Sequence, residues 1–80
     1  MGYGRAVSVT PLVDVLTDTE EQVLLMLGDG YGLGEIAVRM GKSWWTVRNQ
    51  RDSARQKLQA ATQTQAVAIV VRARAIAGVT

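Results

Sequence analysis

Apolar residues recur at helical spacing through most of the chain after residue 15. Val23, Leu24 and Leu27 follow the i, i+1, i+4 pattern of one apolar stripe on a helix. Thr17 and Glu20 have the spacing of a capping box, in which the hydroxyl and the carboxylate satisfy the free amides at a helix start. We therefore expect a first helix that begins after Thr17 and ends at the glycine-rich stretch beyond Leu27.

A helix-turn-helix is predicted next, around Gly41. The glycine-rich stretch 28–34 has no preceding strand and no following Gly-Lys-Ser/Thr, so it predicts a helix end and a turn rather than a nucleotide-binding loop. A short second helix from about residue 33 would bury one face, made of Ile36, Ala37 and Met40. Gly41 can adopt the left-handed conformation that ends this helix.

The third helix is expected from about Ser43, its N-cap residue, to Leu58. Val47, Ala54 and Leu58 recur at i, i+7 and i+11 and form its buried stripe. Two helices joined by about three residues, with a glycine in the turn and a longer second helix, are typical of a helix-turn-helix. The polar face of the third helix should then be open to solvent.

The segment from about Thr62 to Ala77 is rich in Ala, Val and Ile. Its run Val-Ala-Ile-Val-Val would suit a strand, but the frequent alanine and the length of the segment favour a fourth helix. Val67 and Val70 are expected to seal the core. The outward apolar surface that remains usually marks a partner, and we expect a dimer interface made of Ile69, Ala73 and Ile76.

The amino-acid composition limits the reactions and metal sites that the chain can support. The chain of 80 residues contains no cysteine and no histidine, which removes disulfides, thiolate nucleophiles, most zinc sites and the commonest general base. We therefore expect no catalysis, no cofactor and no metal. No apolar run approaches the roughly 20 residues needed to span a bilayer, and no strong signal peptide opens the chain. A cytoplasmic protein without membrane contact is expected, associated with the nucleoid or present in the host cytoplasm if encoded by a phage.

The glycines and the single proline near the N-terminus predict a flexible arm over residues 1–15, followed by one domain over residues 16–80. The charges along the whole chain are unevenly distributed. Residues 1–32 have a net charge of −4, whereas residues 33–58 have a net charge of +4. This distribution is expected where one face meets phosphate, although a solvated helix surface accounts for it equally well.

The polar face of the third helix carries side chains that suit base edges. With about 100° per residue, the side opposite Val47 and its flank carry Arg48, Asn49, Asp52 and Gln56. Arginine can donate two hydrogen bonds to guanine, asparagine can bind adenine, and aspartate can accept from cytosine. We expect base contacts from these four residues.

Some of these side chains also have a plainer interpretation. Asn49 and Gln56 can simply be exposed to solvent. Asp52 can pair with Arg48 or Arg55 on its own helix. Arg51 lies near the buried stripe, so we expect a salt bridge or packing of its aliphatic stem rather than a base contact.

Phosphate contacts are expected near the start of the third helix, because the Ser43 hydroxyl and the first free amides form an anion site. The other residues expected to contact phosphate are Lys42, Trp45, Thr46, Arg55 and Lys57. Two interpretations of Trp44 and Trp45 stay open. Either Trp44 packs into the core and Trp45 lies against a sugar-phosphate strand, or the pair is a contact for another protein, since tryptophan is enriched at binding hot spots.

Several sequence blocks carry a family resemblance. They are LTDTEEQVL at 16–24, EIAVRM at 35–40, SWWTVR at 43–48, Lys57-Leu58 and QAV at 65–67. In order and spacing these blocks resemble the C-terminal DNA-binding domain of LuxR-type (GerE-like) regulators. Three positions depart from the family pattern: Thr19 stands where arginine is usual, Gln22 where glutamate is usual and Gln50 where histidine is frequent.

The resemblance implies an all-α, four-helix helix-turn-helix domain of the LuxR C-terminal type. In that family the positions matching Arg48, Asn49 and Asp52 commonly face the major groove, and the fourth helix often pairs with its twin. The resemblance implies a transcription regulator of bacterial or phage origin that binds double-stranded DNA as a dimer. Because no receiver or ligand-binding domain precedes these blocks, we expect it to act as a stand-alone domain.

One alternative from another class of function stays open. Residues 53–58 (SARQKL) also resemble sigma-factor region 4. On that interpretation the helix-turn-helix is a scaffold for protein interaction. Trp44, Trp45 and the C-terminal segment would then contact RNA polymerase, a sigma factor or another regulator.

Overall fold

A computed structural model describes residues 15–79 of the chain, with side chains from residue 15 to residue 76. The arm expected over residues 1–15 therefore lies almost entirely outside the described residues. The first helix, α1, runs over Asp18–Gly28. The Thr17 hydroxyl accepts from the amide of Glu20 at 3.1 Å, and the Glu20 carboxylate accepts from the amide of Thr17 at 2.9 Å. The predicted capping box is confirmed.

The predicted turn between the second and third helices is also confirmed. Helix α2 spans Leu33–Met40, and Gly41 ends it with φ +66°, a conformation that glycine adopts without steric cost. Helix α3 spans Trp44–Lys57. Its N-cap is Ser43, whose hydroxyl accepts from the amide of Thr46 at 3.1 Å. Local chain chemistry thus fixes both ends of the turn.

The C-terminal segment is a helix and not a strand. Helix α4 spans Gln63–Val79. It begins after Thr62, whose hydroxyl accepts from the amide of Gln65 at 3.1 Å. Residues 15–79 contain four helices and no strand, so the expected all-α architecture is confirmed.

Two apolar clusters hold the four helices together, and α1 contributes to both. The first cluster joins α1, α2 and α3 through Val23, Ile36, Ala37 and Val47. The second joins α1, α3 and α4 through Leu16, Leu24, Ala54, Leu58, Ala60, Ala66 and Val70. The predicted inward stripe of α3 is confirmed, since its three residues lie in these clusters. Helix α3 is therefore anchored along its length, and its opposite side faces solvent.

The orientation predicted for α4 needs a correction. Ala66, Val70 and Ala73 form its buried stripe, and Ala73 is only 4% exposed. Ala73 is therefore not on the outer face, because Ala66, Val70 and Ala73 recur at i, i+4 and i+7 and share the side of α4 that is buried. Ile69 is half-buried against the second cluster, whereas Ile76 is exposed as expected.

Helix α4 passes close to α1 at Gly28. A Cβ atom at this position would lie 3.0 Å from Cγ1 of Val67. Val67 itself is half-buried at the edge of the second cluster. Arg74 adds an ion pair to Glu21 of α1 at 2.9 Å. Among the described helices, none is both long enough and apolar enough to cross a membrane.

Candidate nucleic-acid interface

The outward side of α3 is open to solvent, as its polar pattern predicts. Trp45 is 63% exposed, and Asn49 and Gln56 are also exposed. Arg48 and Asp52 are half-buried at the flank of the same face. The exposed side of α3 therefore begins with an aromatic residue and continues with polar side chains to the last turn.

The Arg48 side chain lies between two neighbours on its own helix. Its guanidinium carbon is 5.4 Å from the centre of the Trp45 ring, which lies within the range of a cation–π contact. Its Nε atom is 4.0 Å from an oxygen of Asp52. The side chain keeps 40% of its surface exposed. Arg48 thus has two lateral contacts and still reaches solvent.

Asp52 is itself held by a second arginine. Arg51 donates from Nε to Asp52 at 3.0 Å and from Nη1 to the Gln63 side chain at 3.0 Å. Of the two pairings considered from sequence, the one with Arg48 is present, and the structure shows no ion pair between Asp52 and Arg55. The expectation of a salt bridge for Arg51 is confirmed. A chain of polar contacts therefore runs from the first residue of α4 to Arg48.

The start of α3 combines hydroxyls with free amides. The Ser43 hydroxyl donates to the Thr46 hydroxyl oxygen at 2.9 Å, besides accepting from the Thr46 amide. The hydrogen of the Thr46 hydroxyl is not used in that bond, so it can donate to an anion. Lys42 is exposed immediately before this turn. Three of the residues expected to contact phosphate are thus brought together.

The end of α3 is bound to the scaffold instead. Lys57 donates to the Glu20 carboxylate at 2.8 Å, and Ser53 donates to its other oxygen at 2.6 Å. Arg55 donates to the carbonyl oxygens of Ala60 and Ala61 at 3.4 and 3.3 Å. Lys57 and Arg55 were both expected to contact phosphate. Both instead donate hydrogen bonds to other groups of the protein.

Glu20 is the buried charge that organises this end of the domain. Burial of the carboxylate raises its pKa, but the hydrogen bonds from Lys57, Ser53 and the Thr17 amide, with the charge of Lys57, outweigh that effect. The pKa of Glu20 therefore lies below its ordinary value of 4.5. Sequence reasoning identified only the capping role of Glu20. A capping box uses only one carboxylate oxygen of the glutamate. The free second oxygen was the signal, missed from the sequence, that Glu20 could bind another group.

Trp44 does not pack into the core, so that expectation is wrong. It is 44% exposed, and its ring meets the Trp45 ring edge-on at a centroid distance of 5.2 Å and an angle of 85°. Val47, one turn later on α3, is fully buried instead. The two indoles therefore form an aromatic pair on the surface.

A second arginine–aromatic contact occurs outside α3. The Arg39 guanidinium lies 4.4 Å from the centre of the Tyr31 ring. Val38, beside it on α2, is the most exposed large apolar side chain among the described residues. Sequence reasoning did not single out either residue. Within residues 15–79 no cluster of three metal-ligating side chains occurs.

These features define a helix-turn-helix domain with an outward polar face on its second helix. The family described as "Bacterial regulatory proteins, luxR family" matches residues 14–70, well over half of the chain. The chain therefore belongs to the LuxR family of bacterial regulatory proteins, as its sequence blocks indicate, and carries a helix-turn-helix DNA-binding domain. No curated protein and no solved structure matches it closely enough to be compared.

Proposed function

We propose that this domain binds specific sequences in double-stranded DNA by placing α3 in the major groove. The observation that carries the proposal is the solvent-exposed polar face of α3, centred on Arg48, on a helix that two apolar clusters hold in place. A fixed helix with a free polar side satisfies the geometry of major-groove recognition. Membership of the LuxR family supports the same conclusion.

Three side chains would read the bases. Arg48, Asn49 and Gln56 offer donors and acceptors that match base edges, and all three reach solvent. Asp52 faces the same side, but Arg51 at 3.0 Å and Arg48 at 4.0 Å already engage its carboxylate. Its contribution to base contact is therefore secondary.

Phosphate contacts would fix the register of the helix. Lys42, the Thr46 hydroxyl and the amides at the start of α3 converge at one end of the reading face. The partial positive charge of a helix N-terminus favours a phosphate there. Lys57 and Arg55 contribute less to phosphate binding, because their hydrogen bonds stay within the protein.

Dimerisation would use the exposed side of α4. Ile76 is an exposed large apolar residue, and Ile69, seven positions earlier on the same side of α4, is half-buried. Two-fold pairing of such domains suits an inverted-repeat DNA site. Light scattering should give a dimer mass for the unmodified chain and a monomer mass for Ile76→Glu, with Thr64→Glu as a control on the same helix. A monomer at high concentration for the unmodified chain would overturn this part.

The decisive experiment for DNA reading is selection of bound sequences from random duplex DNA. Arg48→Ala should relax the preference at one base position by about 1–3 kcal/mol. Binding should also weaken steeply with added salt, because Lys and Arg release counterions from the DNA. Arg72→Ala, a change on α4, is the matched control and should leave the preference intact. Identical selections by the unmodified chain and Arg48→Ala would contradict the proposal.

A second candidate function rests on the exposed indole pair. Trp44 and Trp45 form an aromatic surface of the kind found at protein interfaces. On this alternative the domain binds RNA polymerase, a sigma factor or another regulator. Pull-down of purified polymerase holoenzyme by the unmodified chain, lost in Trp44→Ala with DNA binding unchanged, would favour it.

A further inference from the structure

We infer that Trp45 is a specificity-determining residue, which positions Arg48 for base reading instead of merely contacting the DNA backbone. The inference rests on the proposed function and deepens it. Its basis is a clamp formed by Trp45, Arg48 and Asp52 on the exposed side of α3. Side chains three and four positions away on a helix are neighbours. Trp45 therefore reaches Arg48 from one side, and Asp52 reaches it from the other.

The aromatic side of the clamp is Trp45, against which Trp44 packs. The guanidinium of Arg48 lies 5.4 Å from the centre of the Trp45 ring. The Trp44 ring meets the Trp45 ring edge-on at 85° and 5.2 Å, which is a favoured arrangement of aromatic pairs. Trp44 thereby restricts the ring of Trp45. A fixed indole restricts the rotamers of the arginine beside it.

The acidic side is anchored as well. Arg51 donates to Asp52 at 3.0 Å and is itself bound to Gln63 at 3.0 Å. The carboxylate of Asp52 therefore cannot rotate away without breaking a closer contact than the one to Arg48, which measures 4.0 Å. Asp52 acts as an orienting residue for Arg48.

The consequence concerns the entropy of DNA binding. A long arginine side chain loses rotamer freedom when it docks on a base, and prior ordering removes part of that cost. The ordering helps only the sequence that Arg48 can pair with, because non-specific binding does not fix the guanidinium. Trp45 thus raises the difference in binding free energy between DNA with the correct base and DNA with a wrong base. It does not raise the affinity for DNA in general.

The first experiment measures the clamp in the protein without DNA. The Nε–H proton of Arg48 should be shifted by the ring current of Trp45 in an NMR spectrum. Trp45→Leu should remove that shift, and Trp45→Phe should retain part of it. The Nε–H proton of Arg39, over Tyr31, is the internal control and should not move. An Arg48 signal unchanged by Trp45→Leu would overturn the clamp.

The second experiment measures base preference by competition among duplexes. Trp45→Leu should reduce discrimination at the position read by Arg48 by roughly 2–5-fold, the size of an exposed cation–π contact. Trp45→Phe should keep most of it. In the Arg48→Gln background, Trp45→Leu should cause no further loss at that position. Arg39→Gln is the matched control for removing an arginine from an aromatic ring, and it should leave the preference unchanged.

The possible failures are distinguishable. If Arg48→Gln relaxes the selection and Trp45→Leu weakens binding to all sequences equally, Trp45 only contacts the backbone, and this inference is wrong while the proposed function stands. If the unmodified chain selects no sequence, the proposed function fails and the role of Trp45 fails with it.

Discussion

The two ends of α3 carry similar positive charge but use it differently. In the second turn, Arg48 contacts a tryptophan ring and the half-buried carboxylate of Asp52 and still reaches solvent. In the last turn, Lys57 is bound to the buried carboxylate of Glu20. The first end is arranged for an external partner, whereas the second end fastens the helix to α1.

Exposure alone does not reveal this difference. The side chains of Arg48 and Lys57 are 40% and 36% exposed, which is nearly equal. Their partners decide their roles, because the Glu20 side chain is only 8% exposed and the Asp52 side chain is 29% exposed. A basic residue on a recognition helix is therefore a candidate DNA contact only after its internal partners are known.

The largest expected effect follows from removing the anchor at the second end. Glu20→Ala should lower the free energy of unfolding by about 2–3 kcal/mol, since it removes half of a capping box and the buried partner of Lys57 and Ser53. Urea denaturation followed by circular dichroism measures this. Glu21→Ala, which breaks the more exposed pair with Arg74, should cost about 0.5 kcal/mol. Equal losses for the two variants would mean that Glu20 is not an anchor.

Because of Glu20, the free energy of unfolding should also depend on pH. The pKa of Glu20 is lower in the folded protein than its ordinary value of 4.5, so the folded state favours the ionised form. Its contribution is fully present above about pH 4.5 and is lost as the pH falls through the lower folded pKa. Denaturation of the unmodified chain and of Glu20→Gln across this range tests the sign. The difference between them should shrink with acid, and a constant difference would contradict the assignment.

A smaller effect should distinguish Lys57 from Lys42. Lys57→Met should lower the free energy of unfolding by about 1 kcal/mol and leave the salt dependence of DNA binding nearly unchanged. Lys42→Met should do the reverse, with a salt slope reduced by about 1 and unchanged stability. Loss of the salt slope in Lys57→Met would show that DNA competes successfully with Glu20 for this lysine.

The smallest effect is expected at Arg55. Its two bonds to the carbonyl oxygens of Ala60 and Ala61 are long, at 3.4 and 3.3 Å. Arg55→Ala should therefore cost about 0.5 kcal/mol of stability, at the lower end for a hydrogen bond. Thermal unfolding of Arg55→Ala and of Gln56→Ala measures this difference. Gln56 is an exposed neighbour, and its replacement should not lower the stability. A loss above that of Lys57→Met would invert the order proposed for this end of α3.

Local rules predicted most of the fold. The capping box at Thr17, the left-handed Gly41 and the N-cap at Ser43 each depend on a few neighbouring residues, which the sequence displays directly. Periodicity predicted the inward stripe of α3 as well, because a helix face needs only the spacing of its apolar residues.

Tertiary contacts explain what the sequence did not predict. Ser53 and Lys57 lie 33 and 37 residues from Glu20 in sequence, so no local pattern joins them. A helical wheel gives the faces of α4 but not which face meets α1, and Ala73 was therefore placed on the wrong side. The burial of Trp44 was mispredicted for a related reason. Its position on the helical wheel does not show whether a neighbouring helix extends far enough to cover it.

Gly28 sets how closely α4, the helix proposed to bear the dimer contact, approaches the end of α1. With no side chain there, α4 lies directly against the end of α1, and a methyl group would already press on Val67. A larger residue would have to displace the Val67 side chain or tilt α4 away from α1. In a paired molecule such a tilt would change the distance between two α3 helices, and with it the separation of the DNA half-sites that they could reach together.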